Sequence, residues 1–433
     1  MLLSLLLGSA TAGVLPTDVR VEHLDNGLTV YLAPMDTPGV VSWQVWVDGG
    51  NRAETSNSRG FSNYLQYLAS SGSETMDRAE RERQILLTGA TDNSWSWRDN
   101  TTYHMLVPAE HLPSIIMIEA NRLMYLDLSE QDLVSTEGAV MGSFVRSEAD
   151  PRRNLDYAFA RTAYTVHPYG FPTLGEKQDI EAFDDRLDEI VAFYRTWYRP
   201  ENTRIVVVGD FDEQAILTQI NLTYGVWEGG QTVPAPAAEP KPQSTRRVHV
   251  DWDKSAASAE IIMGWQVPGF DPRSKDAAAL AVFQELLFSE VGALHQDLVV
   301  ERSLVYGLEG GSERFADPHY FRVQATLKHP DDLQVVEEAI VADIQKMATE
   351  LDPVALASVR DSALARFRLS LDSPDEVANV IGEFTWGGRD ADAIETFYAN
   401  YSEVTPDDVR RVVDTWFHPD NLVVATLSAK EAE

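Results

Sequence analysis

The 433-residue chain contains no cysteine. That absence removes disulfides, thiolate metal sites and cysteine nucleophiles together, while leaving the redox compartment open. Basic residues are scarce: 35 Lys and Arg stand against 68 Asp and Glu, a formal net charge of −33. A surface of that sign repels nucleic acid and anionic headgroups, so neither is an expected partner. It favours solubility, and it suits basic peptides or a basic protein unless it is simply a solvated acidic face. No stretch approaches the roughly 18 apolar residues of a membrane span. Histidines are few and dispersed. None of the nine stands three or four residues from another, so no helix presents the paired imidazoles of a zinc site, and no metal or other cofactor is expected. No G-x-S-x-G elbow or S-x-x-K pattern argues for a covalent mechanism.

What is present is the composition of a folded chain, 44% hydrophobic and 24% charged, long enough for two or more domains with their own cores. The opening MLLSLLLGSATAG ends its apolar run in Ala10-Thr11-Ala12, an A-x-A pattern suited to signal-peptidase cleavage before Gly13. The first positive charge is Arg20, so the usual basic start of such a leader is missing. Residues 1–12 are expected to be a signal peptide, with export into a periplasm-like space. A Pro-rich stretch at 229–245 reads as an extended spacer, dividing an N-terminal domain at 13–228 from a C-terminal domain at 246–433.

The two halves echo one another. Thr196-Trp197-Tyr198-Arg199-Pro200-Glu201-Asn202 precedes Ile205-Val206-Val207-Val208, and Thr415-Trp416-Phe417-His418-Pro419-Asp420-Asn421 precedes Leu422-Val423-Val424-Ala425. Each reads as a helix ending in an aromatic pair, a Pro-acidic-Asn turn and a buried strand. The repeat points to duplication of one α/β unit. In the first half, residues 23–32 form a hairpin signal with Asn26-Gly27 at the turn. Strands are expected at 40–47, 95–97 and 101–107, and amphipathic helices at 112–124 and 132–145. Strands and helices mixed without βαβ alternation predict an α+β fold, with mostly antiparallel sheets layered against helices.

Several phrases in this order carry a resemblance. They are Leu24-Asp25-Asn26-Gly27-Leu28-Thr29-Val30, Trp46-Val47-Asp48-Gly49-Gly50-Asn51-Arg52, Gly60-Phe61 before a helix, Asn93, and Asp99-Asn100-Thr101-Thr102-Tyr103. His167-Pro168-Tyr169, Leu294-His295-Gln296-Asp297-Leu298 and Leu304-Val305-Tyr306 follow. The whole mature chain resembles the pitrilysin/insulinase-like metalloendopeptidases, in particular their short two-domain, mitochondrial-processing-peptidase-like type. The resemblance implies two similar domains hinged like a clam, the first bearing zinc and the second closing over an extended peptide. It also implies pairing with another copy or a related subunit.

The resemblance implies, too, where chemistry should sit and does not. The family's His-x-x-Glu-His helix falls on Asn63, Gln66 and Tyr67, and the third ligand, a Glu about seventy-six residues on, falls on Ser143. Zinc wants imidazole, thiolate or carboxylate donors, and Gln66 cannot accept a proton from water as a general base. Phe61, Leu65 and Leu68 still form one apolar helix face, with Asn63, Tyr67 and Ser70 on the other. His167, the best-placed remaining imidazole, reads as a loop or core histidine. Candidate peptide-binding residues carried over from the family are Asn93, on an edge strand suited to strand addition, and Tyr306; Trp95 on the same strand and Arg302 join them as candidates. Trp95 and Trp97 share a face suited either to peptide side chains or to the core. The Arg that relatives place seven residues before the Tyr is Val299 here, and Arg302 lies nearby. The expected function is that of a catalytically inactive homologue, a heterodimer partner completing the chamber of an active zinc protease. The alternatives are a stand-alone peptide-binding or scaffolding protein, and a residual protease with a non-standard site.

Overall fold

The computed structural model describes residues 13–126, 130–230, 233–253 and 257–430. The expected leader at 1–12 and Gln231 and Thr232 of the spacer lie outside the described residues. The first sheet has the order β1-β2-β8-β3-β7-β6, from β1 (Arg20–His23), β2 (Thr29–Pro34), β3 (Val40–Val47), β6 (Thr91–Ser96), β7 (Thr101–Pro108) and β8 (Thr203–Gly209). A small hairpin of β4 (Gly72–Ser73) and β5 (Met76–Asp77) stands apart. The second sheet has the order β11-β12-β10-β13-β9, from β9 (Arg246–Trp252), β10 (Glu260–Val267), β11 (Val305–Gly311), β12 (His319–Leu327) and β13 (Leu422–Ala429). Both sheets are antiparallel except where the first long strand of each half runs parallel to the last, β2 with β8 and β9 with β13. Strand order from β2 to β6 and from β9 to β11 is therefore the same pattern twice.

The sequence echo has a structural cause. Helix α7 (Leu187–Trp197) and helix α14 (Pro406–Trp416) each end at the tryptophan, and a short 3-10 turn carries the asparagine. Asn202 donates its amide to the carbonyls of Trp197 (2.8 Å) and Asp48 (3.0 Å). Asn421 does the same for Trp416 (2.7 Å) and Gln266 (2.8 Å). One buried amide thus satisfies a helix-end carbonyl, which has no partner inside the helix, and ties it to the end of the central strand.

The remaining helices are α1 (Phe61–Leu68), α2 (Arg78–Thr88), α3 (Leu112–Met124), α4 (Glu130–Glu148), α5 (Pro151–Ala163), α6 (Lys177–Ile180), α8 (Glu213–Tyr224), α9 (Lys275–Phe288), α10 (Leu333–Glu350), α11 (Pro353–Ser370), α12 (Pro374–Phe384) and α13 (Asp392–Ser402). One face of the first sheet packs on α1, α3, α7 and α8. Its other face takes α12, a helix from the second half. In return α5, from the first half, lays Leu155, Phe159 and Ala163 on Ile262, Tyr320, Val423 and Ala425 of the second sheet. Each exchange is seated on a glycine. A Cβ at Gly382 of α12 would stand 2.2 Å from the Trp46 ring, and one at Gly264 of β10 would stand 2.4 Å from the Phe159 ring. The two halves interlock through these exchanges. Separating them would expose both exchanged apolar faces, so the chain forms one interlocked lobe. Among the described residues no helix is long and apolar enough to cross a membrane.

Candidate functional site

Helix α1 begins at Gly60, whose φ of +83° is a left-handed conformation that favours glycine. A Cβ there would lie 2.7 Å from the Leu174 carbonyl oxygen. Buried Glu54 accepts the otherwise orphaned Ser62 N–H (3.0 Å) and the Asn51 amide (3.2 Å). Burial drives the Glu54 carboxyl up to about 8, against the pull of these donors. Ser62 Oγ donates to the Gly50 carbonyl (2.9 Å). Phe61 stacks edge-on against Phe183 and Phe193, Leu65 and Leu68 are buried, and the Tyr64 hydroxyl donates to the Leu133 carbonyl (2.5 Å). The apolar face predicted from spacing is thus the packed face.

The opposite face gathers all four positions singled out in the sequence. Tyr67 and Ser143 are 2.9 Å apart, oxygen to oxygen, because α4 packs across α1. Gln66 Nε2 donates to Ser94 Oγ (2.9 Å) and to the Ser94 carbonyl (3.2 Å), binding α1 to β6. Asn63 Nδ2 donates to Gln66 Oε1 (3.2 Å). Both ends of the Gln66 amide are therefore occupied, Nε2 in holding the helix to the sheet and Oε1 in a bond within α1. Ser143 also accepts a 2.7 Å hydrogen bond from Arg146, one turn on along α4. Sequence reasoning missed Arg146, although the i, i+3 spacing from Ser143 would have found it. Asn63, Tyr67, Ser143 and Arg146 line a cavity of about 860 Å³ between the halves, whose far wall is made by Glu309, Tyr320 and Arg322.

The peptide-binding candidates do not converge on this cavity. Strand β6 is one edge of the first sheet, with Asn93 exposed and its Oδ1 accepting the Ser94 N–H (2.9 Å). Because Ser94 points to α1, period-2 alternation turns Trp95 to the other face. There it meets Trp46 edge-on with centroids 6.1 Å apart and lines a second cavity of about 750 Å³. The expected strand at 95–97 is instead Thr91–Ser96. Trp97 lies just beyond it, exposed, with Nε1 donating to Glu313 (3.2 Å), and borders both cavities. Arg302 follows a π-helical turn at His295–Glu301 and pairs with Asp297 (3.2 Å). Tyr306 on β11 is 67% exposed under the Lys328 ammonium. Neither borders the Asn63–Tyr67 cavity. His167 is buried, accepting the Tyr169 N–H at Nδ1 (3.2 Å), so its Nε2 carries the proton it shares with Asp317 (3.1 Å).

Comparison with known proteins gives these geometries a context. Residues 30–177 match the family described as Insulinase (Peptidase family M16), and residues 186–362 match the Peptidase M16 inactive domain. The four positions at 63, 66, 67 and 143 fall within the first match. The chain is 25% identical over 435 aligned positions to the uncharacterized zinc protease SCO5738 of Streptomyces coelicolor, covering 96% of this chain and 91% of that protein. A crystal structure of a protease from Helicobacter pylori superposes with a TM-score of 0.88 at 23% identity, covering 95% of this chain and all of that one. The periplasmic protease PqqL from Escherichia coli superposes with a TM-score of 0.77 at 14% identity, over 96% of this chain but only 48% of PqqL.

Set against the zinc ion that this fold carries in such proteases, the donor set does not fit. It offers two amides, a phenol and a hydroxyl, already bonded among themselves and to a guanidinium. Zinc binding favours anionic or imidazole donors, and Arg146 places a positive charge beside one of the four positions. Among the described residues no group of three or more His, Cys, Asp or Glu is placed to hold a metal ion.

Proposed function

The chain belongs to the pitrilysin/insulinase (peptidase M16) family, and from that premise we propose that it is a zinc-free, non-catalytic member. Its role is that of a partner subunit completing the peptide chamber of an active zinc-protease relative. The observation that carries this is Gln66: at the general-base position stands an amide with both ends spent on Ser94 and Asn63, and an amide cannot take a proton from water. The fold occurs in PqqL as 48% of a longer chain, which supports a reading in which it works beside a second portion. We assign residues 13–228 and 246–433 as the two units and 229–245 as their spacer. Removal of residues 1–12 on export would place the chain in the periplasm. Peptide would add to the β6 edge beside Asn93, with Trp95, Arg302 and Tyr306 as further contacts.

The reading of a stand-alone peptide-binding or scaffolding protein is favoured by one observation. Val299 stands where relatives carry Arg, and Arg302 is held by Asp297, so the chain has no free Arg there to lend a partner's active site. A tagged pull-down from the soluble envelope fraction of the native host separates the two. Stoichiometric recovery of a relative with an intact His-x-x-Glu-His is the expected result. Recovery of the chain alone or only with itself overturns the partner-subunit reading.

A further inference from the structure

The hydrogen-bond network beside Tyr67 fixes which way each amide points. The Ser94 carbonyl only accepts, so the Gln66 atom 3.2 Å from it is Nε2, and Oε1 faces Asn63. Asn63 must then present Nδ2 to Gln66, which leaves its Oδ1 without a partner. This side chain is only 7% exposed and lines the cavity. A buried acceptor left unpaired costs about 1–3 kcal/mol, so a donor that reached it would be stabilised there.

Next to this lone acceptor the cavity has donors to spare. A guanidinium only donates, so Ser143 Oγ accepts from Arg146. Ser143 and Tyr67 share one hydrogen bond between two hydroxyls, so one hydroxyl proton is left over, together with the remaining guanidinium N–H groups. Charge points the same way. Arg152 and Arg322 are neutralised by Glu309 and Asp156. Among the described residues Arg146 and Arg153 have no carboxylate within salt-bridge distance, and Arg98 bonds the Phe171 carbonyl instead (2.9 Å). Asp150 and Glu313 line the cavity as well, so its five arginines face four carboxylates and leave a small positive excess in a chain of net charge −33.

We propose that this cavity binds a peptide carboxylate, taken by Arg146 and the Tyr67–Ser143 hydroxyls, with an adjacent peptide N–H donated to Asn63 Oδ1. A guanidinium held to Ser143 stands beside one of the four positions aligned with the relatives' zinc site, and the site becomes an anion receptor. The inference rests on the peptide-binding reading above and names its ligand class: a free C-terminal carboxylate or an Asp or Glu side chain within a peptide.

The test uses the full chain and fluorescence anisotropy with three labelled peptides of one uncharged sequence. One is the free acid, one its C-terminal amide, and one the amide with an internal Asp-Glu pair. A charge-assisted contact of this kind predicts roughly tenfold or greater preference for a carboxylate-bearing peptide over the plain amide. Which of the two acidic peptides gains it identifies the source. Arg146→Met, at an exposed position, should abolish the preference while leaving the thermal midpoint unchanged, and added salt should weaken it. Equal binding of all three peptides, or a preference that survives both Arg146→Met and Arg153→Met, overturns this inference and leaves peptide binding standing. Failure of every peptide to bind overturns both.

Discussion

At the scale of single residues, the site is defined by what Gln66 and Glu54 are occupied with. The identities at 63, 66, 67 and 143 were legible in the sequence because family spacing places them. Their hydrogen bonds were not, since the decisive partners, Ser94 and Arg146, lie on a strand and a helix whose approach to α1 only the packing determines. Glu54 was equally hidden: nothing in Ala53-Glu54-Thr55 announces a buried carboxyl under a helix end. Its folded-state value of about 8, against an ordinary 4.5, has a definite sign. The folded state holds a proton that the unfolded state has released, so this group makes stability fall as pH rises from about 4.5 to about 8. Glu54→Gln removes the charge, and Asn51, whose Oδ1 has no partner, can turn its amide to meet the new N–H. The variant should match the parent near pH 4.5 and exceed it in thermal midpoint by a few degrees at pH 8. Parallel melting curves across that range would show the parent's Glu54 to be ionised in the folded state.

At the scale of elements, periodicity served well where a segment buries one face. The strand expected at 40–47 is β3 and the helix expected at 112–124 is α3, residue for residue. The helix expected at 132–145 extends to Glu130–Glu148. Alternation also paired Trp95 with Trp97, but it cannot say where a strand stops or which face a helix will cover. Here β6 ends at Ser96, and Gln66 claims the Ser94 face for α1. The helix-turn-strand echo was visible as a pattern, and its reason is the asparagine that joins helix end to central strand. Asn421→Ala would leave the Trp416 and Gln266 carbonyls without that donor, at a cost of about 2 kcal/mol. Asn202→Ala should cost a similar amount, because Asn202 makes the same two bonds. Urea denaturation of the two variants measures this, and an unchanged midpoint in either would show the echo to be ancestry without present structural work.

At the scale of the molecule, the sequence suggested two duplicated halves but not their interlocking, because helix exchange depends on contacts far apart in the chain. The first half gives α5 to the second sheet and receives α12 on its own, each exchange seated on a glycine beneath an aromatic ring. Arg52 and His167 of the first half also share Asp317 of the second, at 2.6 Å and 3.1 Å. Such a chain should unfold in one calorimetric transition. Gly382→Ala, which drives a Cβ into the Trp46 ring, should lower stability by about 1–3 kcal/mol and shift that single transition as a whole. Two resolved transitions in the parent would mean the halves fold independently.

The central claim is that this family fold has exchanged zinc chemistry for recognition, and metal stoichiometry tests it most directly. Mass-spectrometric zinc analysis should be run on the protein purified without chelators, alongside the combined variant Asn63→His, Gln66→Glu, Tyr67→His, Ser143→Glu. The account predicts no stoichiometric zinc in the parent and equimolar zinc in the variant, whose ligand positions the fold already brings together. Equimolar zinc in the parent would contradict it.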